Sequence, residues 1–150
     1  MRRVLAVTAI IVLVALLGTC LTGCKSRSFT TEQALVDLAK QYNDLMAAKS
    51  YDKVLPLLTG DQLTAMQNAL PVLVAAGPSI ETKVQDWQAK CDLMNRDKTR
   101  ASVTATYTQQ QTVKNVGTLA QQFTNVYEFA KIGDDWKIYS VKVMDQQTVK

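Results

Sequence analysis

The chain contains no histidine, which removes the commonest proton acceptor at neutral pH and every imidazole metal site. Acid–base chemistry would then fall to carboxylates. Those on stretches with strand character are Glu81, Asp86, Asp92, Glu128 and Asp145. Glu128 is the best catalytic candidate, lying between Tyr127 and Phe129. Strand alternation nevertheless turns it away from both rings, so if the rings line a core the carboxylate faces solvent, without the burial that perturbs a pKa. Asp134 and Asp135 follow Gly133 as turn formers, and a metal there lacks a third ligand. No catalytic, metal or cofactor site is therefore expected. Apolar binding is the remaining chemistry. Trp87, Tyr107, Phe123, Tyr127, Phe129 and Trp136 are spread over the strand-like half, and Met66 and Leu70 sit on a helix able to close over them. These side chains either fill an ordinary core or border a pocket for a small apolar or lipid-like molecule. The lining expected on the pocket reading is Met66, Leu70, Trp87, Tyr107, Tyr127, Phe129 and Trp136.

The start of the chain carries a different chemistry. Arg2 and Arg3 precede an almost unbroken aliphatic run from Val4 to Leu17, and Leu21-Thr22-Gly23-Cys24 closes it. A helix that stays in the membrane needs roughly 20 consecutive apolar residues; Gly18, Thr19 and Thr22 interrupt this one. The segment resembles the processing site of bacterial lipoproteins, with Gly23 as the small residue before the acceptor thiol. Thr19 before Cys20 does not fit that pattern. The resemblance implies a diacylglyceryl group on the Cys24 sulfur, cleavage before it, and a fatty-acyl (palmitate-type) anchor in the bacterial cell membrane, facing away from the cytoplasm. Two or more acyl chains hold a protein on a bilayer where one does so only marginally. Residues 1–23 thus read as a signal peptide, 24–29 as a lipidated tether and 30–150 as one domain.

The formal charge of +4 falls to +2 when Arg2 and Arg3 leave with the leader. Such a balanced, scattered distribution argues against a nucleic-acid partner. With Cys20 removed and Cys24 acylated, Cys91 is the remaining thiol, expected to pack as a small hydrophobe.

The domain must position these residues with helices first and strands second. Thr30 with Gln33 resembles a capping box, and Leu35, Leu38, Tyr42, Leu45 and Met46 follow at helical spacing. A short second helix begins near Ser50, with Tyr51, Val54, Leu55 and Leu58 inward, Pro56 bending it or confining it to its first turn and Gly60 stopping it. Asp61 then caps a third helix whose Leu63, Met66, Leu70, Leu73 and Val74 share a face; Pro71 should kink or split it before Gly77-Pro78 ends it. A loosely alternating strand covers Ile80 to Leu93, and Asn95 to Lys98 form a turn. In the clearest strand Ala101, Val103, Ala105 and Tyr107 oppose Ser102, Thr104, Thr106 and Thr108. A loop near Asn115 to Gly117, a strand from Phe123 to Ile132, a turn at Gly133 to Asp135 and a last strand from Trp136 to Met144 complete the order. On that last strand Tyr139, Val141 and Val143 lie opposite Trp136 and Ile138, unless a β-bulge near Ser140 turns them all inward.

This order resembles the nuclear transport factor 2-like superfamily, on the strength of the opening amphipathic helix, the short helix from Ser50 to Leu58 and the closing Gly133-Asp134-Asp135-Trp136-Lys137-Ile138. The resemblance implies an α+β fold in which N-terminal helices pack on a curved four-stranded antiparallel meander sheet, forming a cone. It also implies two classes of role. One is a non-enzymatic binding module, for a small apolar ligand or for an envelope partner or second copy docked on the sheet face. The other is an isomerase- or cyclase-like enzyme using a carboxylate at the base of the cone, discriminated by whether Glu128 or Asp86 lies inside a pocket.

Overall fold

A computed structural model describes residues 30–149. The segments expected from sequence to be a signal peptide and a lipidated tether, Cys24 included, lie outside the described residues. The elements run α1 (Thr31–Ala47), α2 (Tyr51–Val54), a 3-10 turn (Leu55–Leu57), α3 (Gly60–Ala76), a second 3-10 turn (Gly77–Ser79), then β1 (Ile80–Met94), β2 (Arg100–Val113), β3 (Gly117–Ile132) and β4 (Asp135–Thr148). The strands form one antiparallel sheet in the order β1-β2-β3-β4, an α+β meander with helices on one face.

Each helix is shaped by a local cause. Thr30 caps α1 by accepting a hydrogen bond from the Gln33 backbone N–H at 3.3 Å, but Gln33 sends its own side chain to Asp37, so the capping box is half made. The buried stripe of α1 is Leu35, Ala39, Tyr42 and Asn43, with Leu38, Leu45 and Met46 half-buried beside it. α2 ends where Pro56 allows only a 3-10 turn, and Val54 and Leu58 anchor it in the core. Gly60, at φ +56°, opens α3 rather than ending α2, and Thr59 rather than Asp61 stands at the N-cap. Pro71 lies within an unbroken α3, so the helix is not split there. Met66 is buried and Leu63, Leu70 and Leu73 are half-buried, whereas Val74 is 60% exposed, on the outer side rather than the core face.

The sheet follows the period of two. On β2 the buried positions are Ala101, Val103, Ala105 and Tyr107, and Thr106 and Thr124 hydrogen-bond across the opposite face at 3.2 Å. β3 and β4 are longer than their apolar pattern, starting at Gly117 and continuing to Thr148, because main-chain pairing extends into Thr- and Gln-rich ends that bury little. Of the four register shifts among the described residues, two set which side chains face the helices next to Tyr107 and Tyr127. On β4, Glu128 pairs with Ser140 and Phe129 with Ile138, leaving Tyr139 as the extra residue. Val141 and Val143 are thereby set opposite Tyr127 and Asn125, on the helix-facing side with Ile138. On β1, Asp86 and Trp87 together oppose Tyr107; Asp86 takes φ +54° and is exposed while the Trp87 ring turns inward.

Leu35, Val54, Val103, Tyr127, Phe129 and Ile138 are the largest fully buried side chains. Each contributes about 1.5–3 kcal/mol through its apolar burial. Among the described residues no helix is long and apolar enough to cross a membrane.

Candidate functional site

An open cleft of about 410 Å³ lies between the C-terminal ends of α1 and α3 and the helix-facing side of the sheet. Met46, Ala47, Leu73, Ala76, Val84, Phe123, Val141 and Val143 give it apolar walls, and Thr82, Gln109 and Gln111 lie toward the ends of the strands. Val141 and Val143 reach it only because of the Tyr139 bulge. Toward the middle of the sheet its boundary changes character, to Tyr42, Asn43, Tyr107 and Asn125.

That inner end is a buried polar cluster. Asn43, one residue beyond Tyr42 on α1, donates from Nδ2 to the Tyr127 hydroxyl at 2.5 Å and to the Ala39 carbonyl at 2.9 Å. Asn125 donates from Nδ2 to the Tyr107 hydroxyl at 2.8 Å and, more weakly, to that of Tyr127 at 3.4 Å. Asn125 is only 6% exposed, and its Oδ1 has no hydrogen-bond partner among the described residues. Such an orphan costs about 1–3 kcal/mol in an otherwise satisfied interior. Rotating the amide by 180° exchanges the orphan from oxygen to nitrogen without removing it.

Aromatic rings enclose the cluster. Trp87 stacks on Tyr107 at 5.4 Å, Tyr107 stacks on Phe123 at 5.8 Å, and Tyr42 meets Tyr127 edge-on at 6.1 Å. Burial, reinforced by the neighbouring Tyr127, pushes the Tyr42 phenol up to about 12. Burial likewise raises Tyr107 and Tyr127 above the ordinary phenol value. The inner end is thus hostile to negative charge. The Trp87 Nε1 is also buried without a partner among the described residues, though the ring lies behind Tyr107 and not on the cleft surface.

Of the pocket residues expected from sequence, only Tyr107 borders this cleft. Met66, Tyr127 and Phe129 are buried in the core, and Leu70, Trp87 and Trp136 pack against it. The expected lining is corrected accordingly: those side chains fill the interior where α1, α2 and α3 cover the sheet, and the hollow opens beyond them, where α1 ends. Asn43 and Asn125 were missed. Their signal was present, since Asn125 keeps the phase of Phe123, Tyr127 and Phe129, and Asn43 lies beside Tyr42 on the helix stripe.

Among the described residues no carboxylate borders the cleft. Glu128 points from the opposite face and pairs with Lys142 at 2.7 Å, whose hydrogen bond holds the carboxyl below the ordinary range. Among the described residues no group of three or more Cys, Asp or Glu is placed to hold a metal. Lys49, the one cation on the cleft among the described residues, donates to the Gly77 carbonyl at 2.5 Å and to that of Ile80, tying the end of α1 to the start of β1. Cys91 is half-buried against the core.

No family model matches the chain, and no curated protein matches it. Among solved structures, the chain is similar to the crystal structure of the intermembrane space region of the chloroplast protein ARC6, with a TM-score of 0.56 and 15% identity over 76% of this chain and 96% of that one. At that identity the likeness establishes a shared fold.

Proposed function

We propose that the protein is an extracytoplasmic lipoprotein, held on the bacterial cell membrane by acyl chains on Cys24, whose domain is a non-enzymatic binding module for a small apolar ligand. The observation that carries this reading is the cleft of about 410 Å³ beside α1, with apolar walls and an unsatisfied buried amide at its inner end. The helix-then-meander order and the hollow between helices and sheet also fit the cone of the nuclear transport factor 2-like superfamily, as does the closing turn before Trp136. Proton-transfer chemistry has less support: Glu128 and Asp86 stand outside the cleft, and Glu128 is already engaged with Lys142.

Two measurements test the reading. Purification from native membranes followed by native mass spectrometry should show a co-purifying apolar molecule of defined mass; protein that stays empty after incubation with lipid extract would contradict the binding role. Cys24→Ala should move the protein out of the membrane fraction, and unchanged fractionation would contradict the anchor.

A further inference from the structure

Asn125 and the charge distribution around the cleft narrow the ligand class, on the premise that the cleft is a binding site. At the inner end lies Asn125, 6% exposed and bordering the cleft beside Tyr107 and Phe123, with its Oδ1 enclosed and without a partner among the described residues, so that a turn of the side chain brings the amide to a ligand. Among the described residues Lys49 is the only charged side chain on the cleft. Its ammonium group is occupied by the carbonyls of Gly77 and Ile80. Ile80 pairs with Val113, whereas Asn125 pairs with Ala105. These rows are eight residues apart on β2. At about 3.3 Å per residue the two rows are offset by roughly 26 Å along the strands, and the Lys49 ammonium is held at the outer one by its two carbonyls.

We propose that the cleft takes an apolar molecule ending in one uncharged hydroxyl, seated with that hydroxyl against the Asn125 side chain and its apolar body along Phe123, Val141 and Val143. A hydroxyl both donates and accepts, so it completes Asn125 in either orientation of the amide. A carboxylate or phosphate head would lose its hydration at an end of the cleft that offers no cation and already holds its phenols un-ionised. An ammonium head would meet no carboxylate there. A wholly apolar molecule would leave the amide atom orphaned.

The test uses the mature chain from residue 24, carrying Cys24→Ser so that no acyl chain competes, and Trp136→Phe so that Trp87, stacked on Tyr107, is the sole tryptophan. Decanol, decanoate and decyltrimethylammonium, which share one chain length, are titrated against Trp87 fluorescence. Decanol should bind about tenfold tighter than either charged probe, the factor expected when one buried hydrogen bond is made rather than left open. Asn125→Ala should bring decanol down to the affinity of the charged probes, whereas Val143→Arg at the mouth should weaken all three together. Should Asn125→Ala fail to fold, the side-chain amide resonances of Asn125 provide a second readout, shifting with decanol and not with the charged probes. Equal affinity for the three heads, or preference for a charged one, would overturn the hydroxyl assignment while leaving a binding cleft. Failure of every probe to bind would overturn the binding reading itself.

Discussion

Tyr127 joins α1 to the sheet in the buried interior, since its hydroxyl receives both the Asn43 and the Asn125 amides. Tyr127→Phe keeps the ring and deletes that acceptor, leaving two buried donors under-satisfied. Urea unfolding should show a loss of about 1–3 kcal/mol; no loss would mean that the amides find other partners. The buried phenols also set an alkaline limit. A phenol whose folded pKa exceeds its unfolded value of 10.0 contributes stability that is fully present below pH 10 and is lost as pH rises toward the folded value. Unfolding should accordingly set in above pH 10 and coincide with the tyrosinate absorbance of the buried rings. Glu128 acts in the other direction. Its folded pKa lies below 4.5, so its stabilisation is present above that value and fades as pH falls through the folded one. Glu128→Gln should therefore lower the urea midpoint slightly at pH 7 and not at all near pH 2; an equal effect at both would show that the Lys142 pair contributes nothing.

β4 is the element whose pairing was hardest to read. Its alternation alone sets Tyr139, Val141 and Val143 on one side and Trp136 and Ile138 on the other. The extra residue at Tyr139 restores Val141 and Val143 to the side of Ile138, so the apolar docking face on the outer side of the sheet loses two of its members. Tyr139 itself lies under the Arg100 guanidinium at 4.5 Å. Deleting Tyr139 would slip the rest of β4 by one residue and turn both valines outward. Increased binding of a hydrophobic dye and a lower melting temperature are the expected results, and an unchanged protein would show that the bulge is dispensable. α1 depends on fewer contacts. Leu35, 1% exposed, is the largest fully buried side chain it contributes, and Leu35→Ala should cost about 2–5 kcal/mol.

Taken whole, the molecule divides into a packed half and a hollow half along the same sheet. Helices α1, α2 and α3 cover the Ala101–Ala105 stretch of β2 and fill it with Tyr127, Phe129 and Ile138; beyond Tyr107, α1 has ended and the walls stand apart. The order of elements, the turn at Asn95 to Lys98 and the inward phase of β2 were legible from local pattern, because a strand's two faces and a helix's stripe are written at spacings of a few residues. Leu35 as a core residue was legible for the same reason. What tertiary packing alone decided was where the helices stop covering the sheet, and hence that Met66, Leu70, Trp87, Tyr127, Phe129 and Trp136 lie in or against a filled interior while Tyr107 reaches open space. It also decided the bulges, since an extra residue is accommodated by the partner strand's hydrogen bonds and leaves no mark in composition. Asn125 shows both sides of that division: its place on the inner face follows from counting by twos along β3, but its missing partner appears only when Tyr107, Tyr127 and Asn43 arrive from other elements.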